Sequence, residues 1–188
     1  MPRIPKRLKQ RPQFHGLPIP YVTLIGEDGK PDFRVTDENK RRNVMFNHWC
    51  QLCGQPLGRW CFFTGGELCA EQNAYFEPAC HLDCLVYAMQ VCPFILGKME
   101  HADIEKVKRA HPDIDLGEDS AIVASKPMEI RWIITKATNW SYGRTEQKTI
   151  MCIPSGSNRR LHVQPATMNA QDWQRAFEYL SAHDEPPN

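Results

Sequence analysis

Two short stretches decide the fold of this chain: Cys50-Gln51-Leu52-Cys53-Gly54 and, further along, His81-Leu82-Asp83-Cys84. Each stretch places two metal-ligating side chains three positions apart. Thiolates and imidazole are the donors that tetrahedral Zn²⁺ takes in closed structural sites. The predicted ligands of one structural zinc ion are Cys50, Cys53, His81 and Cys84.

The remaining cysteines leave two alternatives open. Cys80 and Cys84 lie on one helical face at i, i+4, so an all-cysteine site would use Cys80 in place of His81. A second zinc site would draw its ligands from Cys61, Cys69, Cys80 and Cys92. We expect Cys152, in an apolar strand, to be an ordinary core residue.

Composition limits the classes of function. The 188 residues suffice for one domain, or for a zinc module with one small companion. The 23 basic and 22 acidic side chains give a formal charge of +1, so binding to nucleic acid must come from local patches. No apolar run approaches the roughly 18 residues of a membrane span. The start of the chain has no apolar signal segment, so we expect a reducing, cytoplasmic location with no membrane partner.

The N-terminal residues 1–20 are predicted to form an extended basic arm. Residues 1–12 contain five cations and no acid, and the prolines at 2, 5 and 12 disfavour a helix. A second basic cluster occupies positions 40–42. Cations in such patches contact phosphates, although a solvated tail is the alternative for the arm. The predicted nucleic-acid-binding residues are Arg3, Lys6, Arg7, Lys9, Arg11, Lys40, Arg41 and Arg42.

Residues 21–98 are predicted to form a β-hairpin followed by the zinc-binding module. The hairpin pairs 21–25 with 32–35 around Asp28-Gly29, a strong tight-turn signal. A short helix follows, with Thr36 as its N-cap, and ends at about Asn47. We expect a strand pair near 58–68 and a helix over 79–91 with an apolar stripe on one face.

The C-terminal half is predicted to contain two parts. Residues 99–119 hold seven acids against three bases and indicate an acidic helix or linker. Residues 120–188 are predicted to be a small α+β subdomain. Its strands lie at 130–135, 149–153 and 160–163, the last two flanking a turn, and a helix beginning near Asn169 closes it. The predicted fold class is therefore α+β, with a zinc module and a small C-terminal β-layer closed by a helix.

The order of knuckle, hairpin and ligand-bearing helix resembles the treble-clef zinc fingers. The resemblance implies a treble-clef-like module whose zinc holds the fold. From Pro2-Arg3-Ile4-Pro5 through the knuckle to Cys92-Pro93-Phe94, the chain also resembles small uncharacterised proteins of bacteriophages and prophages. That resemblance implies an accessory phage factor in the bacterial host cytoplasm, and it brings no assigned activity.

Two enzymatic alternatives resemble parts of the sequence. Cys69-Ala70-Glu71, followed by Pro78, Cys80 and Cys84, is similar to the signature of zinc cytidine deaminases. However, only six residues separate Glu71 from Pro78, too few for the intervening helix and strand. Treble clefs also occur in His-metal nucleases, but no histidine lies between His48 and His81 to act on the hairpin.

Three hypotheses of function follow. The first is a non-enzymatic, structural-zinc binding protein, a phage or prophage accessory factor in host takeover that contacts nucleic acid or a nucleic-acid machine. Arg59 and Trp60 would add a stacking surface to its basic patches. The second is a protein-binding inhibitor or regulator of a host or defence protein. The third is a zinc-dependent nuclease or deaminase.

Overall fold

The computed structural model describes residues 2–98, 109, 131–146, 148–156 and 159–182. They form an α+β fold of short helices and small antiparallel sheets. The helices are α1 (Lys6–Lys9), α2 (Glu38–Phe46), α3 (Glu67–Glu71), α4 (Leu82–Val91) and α5 (Ala170–Ser181). The strands are β1 (Gln13–Phe14), β2 (Leu17–Pro18), β3 (Thr23–Ile25), β4 (Pro31–Thr36), β5 (Cys61–Gly65), β6 (Trp132–Ala137), β7 (Asn139–Arg144), β8 (Ile150–Ser155) and β9 (Arg160–Val163). Except for residue 109, the predicted acidic segment 99–119 lies outside the described residues.

The N-terminal residues do not form the extended arm that the sequence predicted. Residues 6–9 make one helical turn, in which the Pro5 carbonyl accepts hydrogen bonds from the amides of Leu8 and Lys9, both at 3.0 Å. Leu8 is buried in the main hydrophobic core. The prediction failed because Pro5 precedes the turn and does not interrupt it, and because burial of Leu8 stabilises the turn.

The predicted β-hairpin at 21–35 is present as β3 and β4, which pair antiparallel. The helix after it begins one residue later than expected, because the N-cap is Asp37 and not Thr36. The Asp37 carboxylate accepts a hydrogen bond from the Lys40 amide at 3.1 Å. This capping interaction satisfies one of the free amides of the first turn of α2.

The strand pair expected near 58–68 is absent, since that stretch holds only β5, followed by α3. β5 pairs antiparallel with β6, and β6 also pairs with β9, so the three form one sheet. A single bridge joins Phe62 of β5 to Cys80. The segments predicted as a zinc module and a separate C-terminal subdomain therefore share a sheet.

The two strands predicted at 149–153 and 160–163 lie in different sheets. β8 pairs with β7, a strand that the sequence did not predict, and not with β9. The helix α5 was predicted correctly. Its N-cap is Asn169, which forms a capping box with Asp172. Its buried stripe of Trp173, Ala176 and Leu180 packs into the same core as α4.

The buried apolar residues form two hydrophobic clusters. The larger cluster contains residues of α4 and α5 and the cysteines at 50, 53, 80 and 84. The smaller one includes Met45, Phe63, Tyr75, Trp140 and Cys152. None of the described helices combines the length and apolar character that crossing a bilayer requires.

Candidate metal centre

The predicted ligands come together in one cluster. Their sulfur and ring-nitrogen atoms all lie within 4.8 Å of one another, and Cys53 Sγ is 3.4 Å from His81 Nδ1. The three cysteines are buried and His81 is 9% exposed. The four residues are Cys50, Cys53, His81 and Cys84. This cluster could hold a metal ion that accepts sulfur and imidazole donors.

A tight turn positions the two knuckle cysteines. The Cys50 carbonyl accepts a hydrogen bond from the Gly54 amide at 2.8 Å, and the Cys50 amide donates to the Gln55 carbonyl at 2.8 Å. Gly54 adopts a φ of +74°, which favours glycine. A Cβ atom at Gly54 would also lie 2.5 Å from the Tyr21 ring. The glycine after the second cysteine is therefore needed both for the backbone conformation and for packing.

His81 is oriented by a backbone carbonyl. Its Nε2 lies 3.1 Å from the Pro56 carbonyl, which fixes Nε2 as the protonated nitrogen and leaves Nδ1 facing the sulfurs. Metal-ligating histidines almost always make such an outer hydrogen bond. The helix predicted from residue 79 starts only at Leu82, so His81 is its N-cap and Cys84 lies in its first turn.

Cys80 lies beside this cluster, where its thiol interacts with that of Cys50, but it is not one of the four residues whose donor atoms all lie within 4.8 Å of one another. Its amide donates to the Phe62 carbonyl at 2.8 Å, and its carbonyl accepts from the Phe62 amide at 3.0 Å. Its thiol lies 4.0 Å from the Pro78 carbonyl. The four-residue group that could hold a metal ion contains His81 and does not include Cys80.

The alternative of a second zinc site among Cys61, Cys69, Cys80 and Cys92 is not assembled in the described residues. Within the described residues, the structure brings no other set of three or more potential metal ligands together. Cys61 instead lies in the smaller hydrophobic cluster, where its thiol donates to the Ala137 carbonyl at 3.2 Å. Burial raises the pKa of Cys61, and likewise that of Cys152, to about 12.

Proton sharing within the cluster favours a thiolate beside an imidazolium when no metal is bound. Burial raises the pKa of Cys50, but hydrogen bonds from neighbouring thiols outweigh it and hold that pKa well below its usual value. Burial lowers the pKa of His81, but the Cys50 and Cys53 sulfurs outweigh it and raise the pKa to about 10. Hydrogen bonds to the same two sulfurs, together with burial, raise the pKa of Cys84. Metal binding must therefore displace protons from the cluster.

Gln51 supports the knuckle in a way that the sequence did not indicate. It is buried, and its side-chain amide donates to the Pro78 carbonyl at 2.7 Å. Its backbone amide donates to the Ala79 carbonyl at 3.2 Å. These bonds hold the first ligand pair against the segment that carries the second. A buried amide between two cysteines has no sequence signal of its own, because its partner lies 27 positions away.

The residues of the enzymatic alternatives are not brought together. Cys69, the expected first ligand of a deaminase, is outside the metal cluster, and Glu71 is exposed. His48 stacks on Trp140, with ring centroids 4.0 Å apart. The described residues thus contain neither the ligand set of a deaminase nor a histidine in the metal cluster besides His81.

The N-terminal cations differ in their surroundings. Arg7 forms an ion pair with Asp83 at 3.1 Å, and Arg11 donates to the Ile19 carbonyl at 3.0 Å. The other three cations are exposed, and all three line one cleft of about 410 Å³ between the N-terminal residues and helices α4 and α5. Within the described part of the chain, their side chains have no hydrogen-bond or ion-pair partner. These three are Arg3, Lys6 and Lys9.

The cations predicted at 40–42 are largely engaged within the protein. Arg41 is 6% exposed and donates to the carbonyls of Phe76 and Ile150, so the expectation that it contacts phosphate is wrong. Lys40 donates to the Thr23 carbonyl at 2.9 Å. Arg42 is half exposed and pairs with Glu38 at 3.1 Å.

The predicted stacking surface at Trp60 is also occupied from within the protein. Lys136 Nζ lies 4.0 Å from the centroid of the Trp60 ring, and the Arg59 guanidinium lies 5.1 Å from it. Lys136 is fully buried and donates to the Ala182 carbonyl at the end of α5. Trp60 therefore helps to attach α5 to the sheet.

No family model, curated protein or solved structure matches this chain. Inference about its function therefore rests on its own residues.

Proposed function

We propose that the metal of this centre is zinc and that its role is structural. Three sulfurs and one imidazole are a donor set of closed zinc sites, whereas Mg²⁺ and Ca²⁺ take oxygen ligands. Tetrahedral bonds of about 2.3 Å to sulfur and 2.0 Å to nitrogen separate the two donors by roughly 3.5 Å. The 3.4 Å between Cys53 Sγ and His81 Nδ1 agrees with this spacing. Four protein ligands leave no position for a substrate, which supports a non-enzymatic role.

We propose further that the protein binds nucleic acid through the cleft lined by Arg3, Lys6 and Lys9. The observation that carries this proposal is three cations without an ion-pair partner on one cleft, whose lining acid Asp83 is paired with Arg7, in a chain whose formal charge is only +1. Such a local positive field attracts a polyanion even when the whole protein is nearly neutral. Phosphate contacts by lysine and arginine supply most of the affinity of sequence-independent binding.

The metal centre would hold these cations in place. Leu8, between Lys6 and Lys9, is buried in the hydrophobic cluster that contains the ligand cysteines. Arg7 pairs with Asp83, the residue immediately before the ligand Cys84. The basic turn is therefore anchored to the first turn of α4, and loss of zinc would release both.

The test is fluorescence anisotropy of a labelled oligonucleotide, titrated with zinc-loaded protein over a range of salt concentrations. We expect affinity to fall steeply with salt for the wild type. The double variant Lys6→Gln/Lys9→Gln should bind more weakly, and its logarithmic salt slope should be smaller by roughly 1.4, or about 0.7 for each lost contact to a single strand.

A matched control removes two cations elsewhere. Lys30→Gln/Arg34→Gln changes the net charge equally, on the hairpin of β3 and β4, where both side chains pair with neighbouring acids. The proposal is overturned if the wild type shows no binding, or if the two double variants bind equally well.

A second candidate function is a protein-binding regulator. Apolar residues, among them Ile4, Val86 and Phe177, also line the cleft. A cleft with cationic and apolar lining fits an acidic peptide as well as a phosphate chain. A pull-down with the zinc-loaded protein tests this alternative. It is favoured if one partner protein is recovered in stoichiometric amount without nucleic acid, and if Lys6→Gln/Lys9→Gln abolishes this recovery.

A further inference from the structure

Phe46 and Tyr142 form an exposed aromatic pair on the surface of the protein. Phe46 is 54% exposed and Tyr142 is 41% exposed, although their ring centroids lie only 5.1 Å apart. Single exposed apolar residues are common on protein surfaces, whereas two large exposed rings in mutual contact form a larger apolar surface.

A third ring extends this surface. His48 is exposed and stacks on Trp140 with an interplanar angle of 28°. Phe46 and His48 flank the end of α2, while Trp140 and Tyr142 share one face of β7 at i, i+2. We call the set Phe46, His48 and Tyr142, backed by Trp140, the aromatic patch.

The aromatic patch is held rigidly. The Tyr142 hydroxyl donates to the Met45 carbonyl at 2.8 Å, which fixes the ring beside α2. His48 has a φ of +56°, an uncommon conformation for a residue other than glycine. The His48 carbonyl accepts a hydrogen bond from the Leu57 amide at 2.8 Å, which helps to hold this conformation. A preformed surface loses little conformational entropy when a ligand binds.

Two arginines, Arg42 and Arg144, lie close to the patch, together with the acids Glu38 and Glu146. Arg42 lies one helical turn before Phe46, and Arg144 follows Tyr142 on the same face of β7. Glu38 is the nearest acid on α2, and its carboxylate is already bonded to Arg41 and Arg42. The described partners thus leave Arg144 exposed beside the rings, with the charge of Glu38 compensated.

A band of polar and aromatic contacts connects this patch with the basic N-terminal segment. The Arg11 guanidinium lies 5.4 Å from the centroid of the Tyr21 ring. The Asn43 side chain donates to the Tyr21 hydroxyl at 3.4 Å, and Asn47 donates to the Asn43 side chain at 2.6 Å. Asn47 directly follows Phe46. These contacts link Arg11, through Tyr21 and Asn43, to the residue that follows Phe46.

From these observations we infer that the aromatic patch binds unpaired bases, so that the nucleic acid bound by this protein is single-stranded. This inference rests on the proposed nucleic-acid binding and adds the strandedness of the ligand. Bases stack on exposed aromatic rings while flanking cations contact the phosphates, and this combination tolerates any sequence. Bases in a duplex are already stacked and paired, so the patch would discriminate against double strands.

The experiment compares two labelled ligands with the same number of phosphates: oligothymidine of about 12 nucleotides and an abasic oligomer of equal length. A length of about 12 nucleotides lies within the range that one single-strand binding domain covers. Zinc-loaded wild type should bind oligothymidine at least about fivefold more tightly, since one stacked base contributes about 1 kcal/mol or more. Phe46→Ala/Tyr142→Ala should remove this preference and leave the affinity for the abasic oligomer unchanged.

Two single variants test the role of the rings. Phe46→Trp keeps an aromatic face and should retain the preference for bases, whereas Phe46→Leu keeps an apolar side chain and should lose it. Zinc content and the thermal midpoint establish that each variant is folded.

The outcomes separate this inference from the proposed function. Salt-dependent binding of both ligands with equal affinity, or a base preference that survives Phe46→Ala/Tyr142→Ala, overturns the inference and leaves the proposed function intact. Absence of binding to either ligand overturns both. Light scattering provides a further test, because a wild-type dimer that Phe46→Ala dissociates would identify a second copy of the chain as the occupant.

Discussion

Replacing Arg41 by methionine should destabilise the protein strongly without a direct effect on nucleic-acid binding. Arg41 Nε and Nη2 donate to the Phe76 carbonyl at 3.0 and 2.8 Å, and Nη2 also donates to the Ile150 carbonyl. Nη1 contacts both carboxylate oxygens of Glu38. The guanidinium thereby joins α2 to the chain before the second ligand pair and to β8.

The loss of stability depends mainly on the two carbonyls that lose their hydrogen-bond donor. Methionine keeps most of the buried stem of Arg41 but orphans the carbonyls of Phe76 and Ile150. Each orphaned buried acceptor costs about 1–3 kcal/mol, which gives about 2–6 kcal/mol for the two. Both residues are only half-buried, so water can reach part of this region and the lower range of about 2–4 kcal/mol is expected. Glu38 retains Arg42, so the loss of that ion pair adds little.

Urea unfolding of the zinc-loaded protein, followed by tryptophan fluorescence and circular dichroism, measures this loss. With a slope near 2 kcal/mol/M, the midpoint should fall by about 1–2 M. Arg42→Met is the matched control: its side chain is half exposed and pairs only with Glu38, so it should cost about 0–0.5 kcal/mol. Equal midpoints for the two variants would refute the structural role of Arg41.

Two further predictions concern the cysteines. Cys84→Ser should lose stoichiometric zinc and the cooperative unfolding transition, whereas Cys92→Ser should keep both. Metal analysis and thermal unfolding measure the two properties. A Cys84→Ser variant that still binds one zinc ion would contradict the role of Cys84 as a ligand. Burial raises the pKa of the Cys61 and Cys152 thiols from 9.0 to about 12 in the native protein. Between these two pH values the thiols lose their protons in the unfolded chain but keep them in the native one. The free energy of unfolding should therefore fall between pH 9 and 12, by up to about 1.4 kcal/mol per pH unit and thiol. Urea midpoints that fall equally steeply in wild type and Cys61→Ala would contradict this.

Locally encoded features were predicted well. The ligand spacing, the β-hairpin of β3 and β4 and the helix α5 all depend on residues a few positions apart. Asn169 and Asp172, for example, complete the capping box of α5 within one turn. Such interactions depend on neighbouring residues and not on the rest of the fold, so sequence periodicity and turn residues suffice to predict them.

Features that depend on distant partners were predicted wrongly or missed. Residues 6–9 form a helical turn because Leu8 is buried by residues far along the chain. β5 takes β6 as its neighbour, more than sixty positions away, in place of a local hairpin partner. Arg41 was predicted to contact phosphate because its neighbours in sequence are basic. Its burial follows from carbonyls at positions 76 and 150.

The sequence by itself indicated Cys50, Cys53 and Cys84 as candidate ligands, with His81 or Cys80 as the fourth, and it indicated the α+β character and the position of α5. Ligand spacing and apolar periodicity are properties of short segments, so both can be recognised without the fold. Only the tertiary structure favoured His81 over Cys80, because it groups the His81 ring, and not the Cys80 thiol, with the sulfurs of the other three cysteines. It also decided which cations are free and brought Phe46 beside Tyr142. The physical reason is the same in each case. Burial and hydrogen bonding depend on which distant segments of the chain are in contact, and no local sequence pattern specifies those contacts.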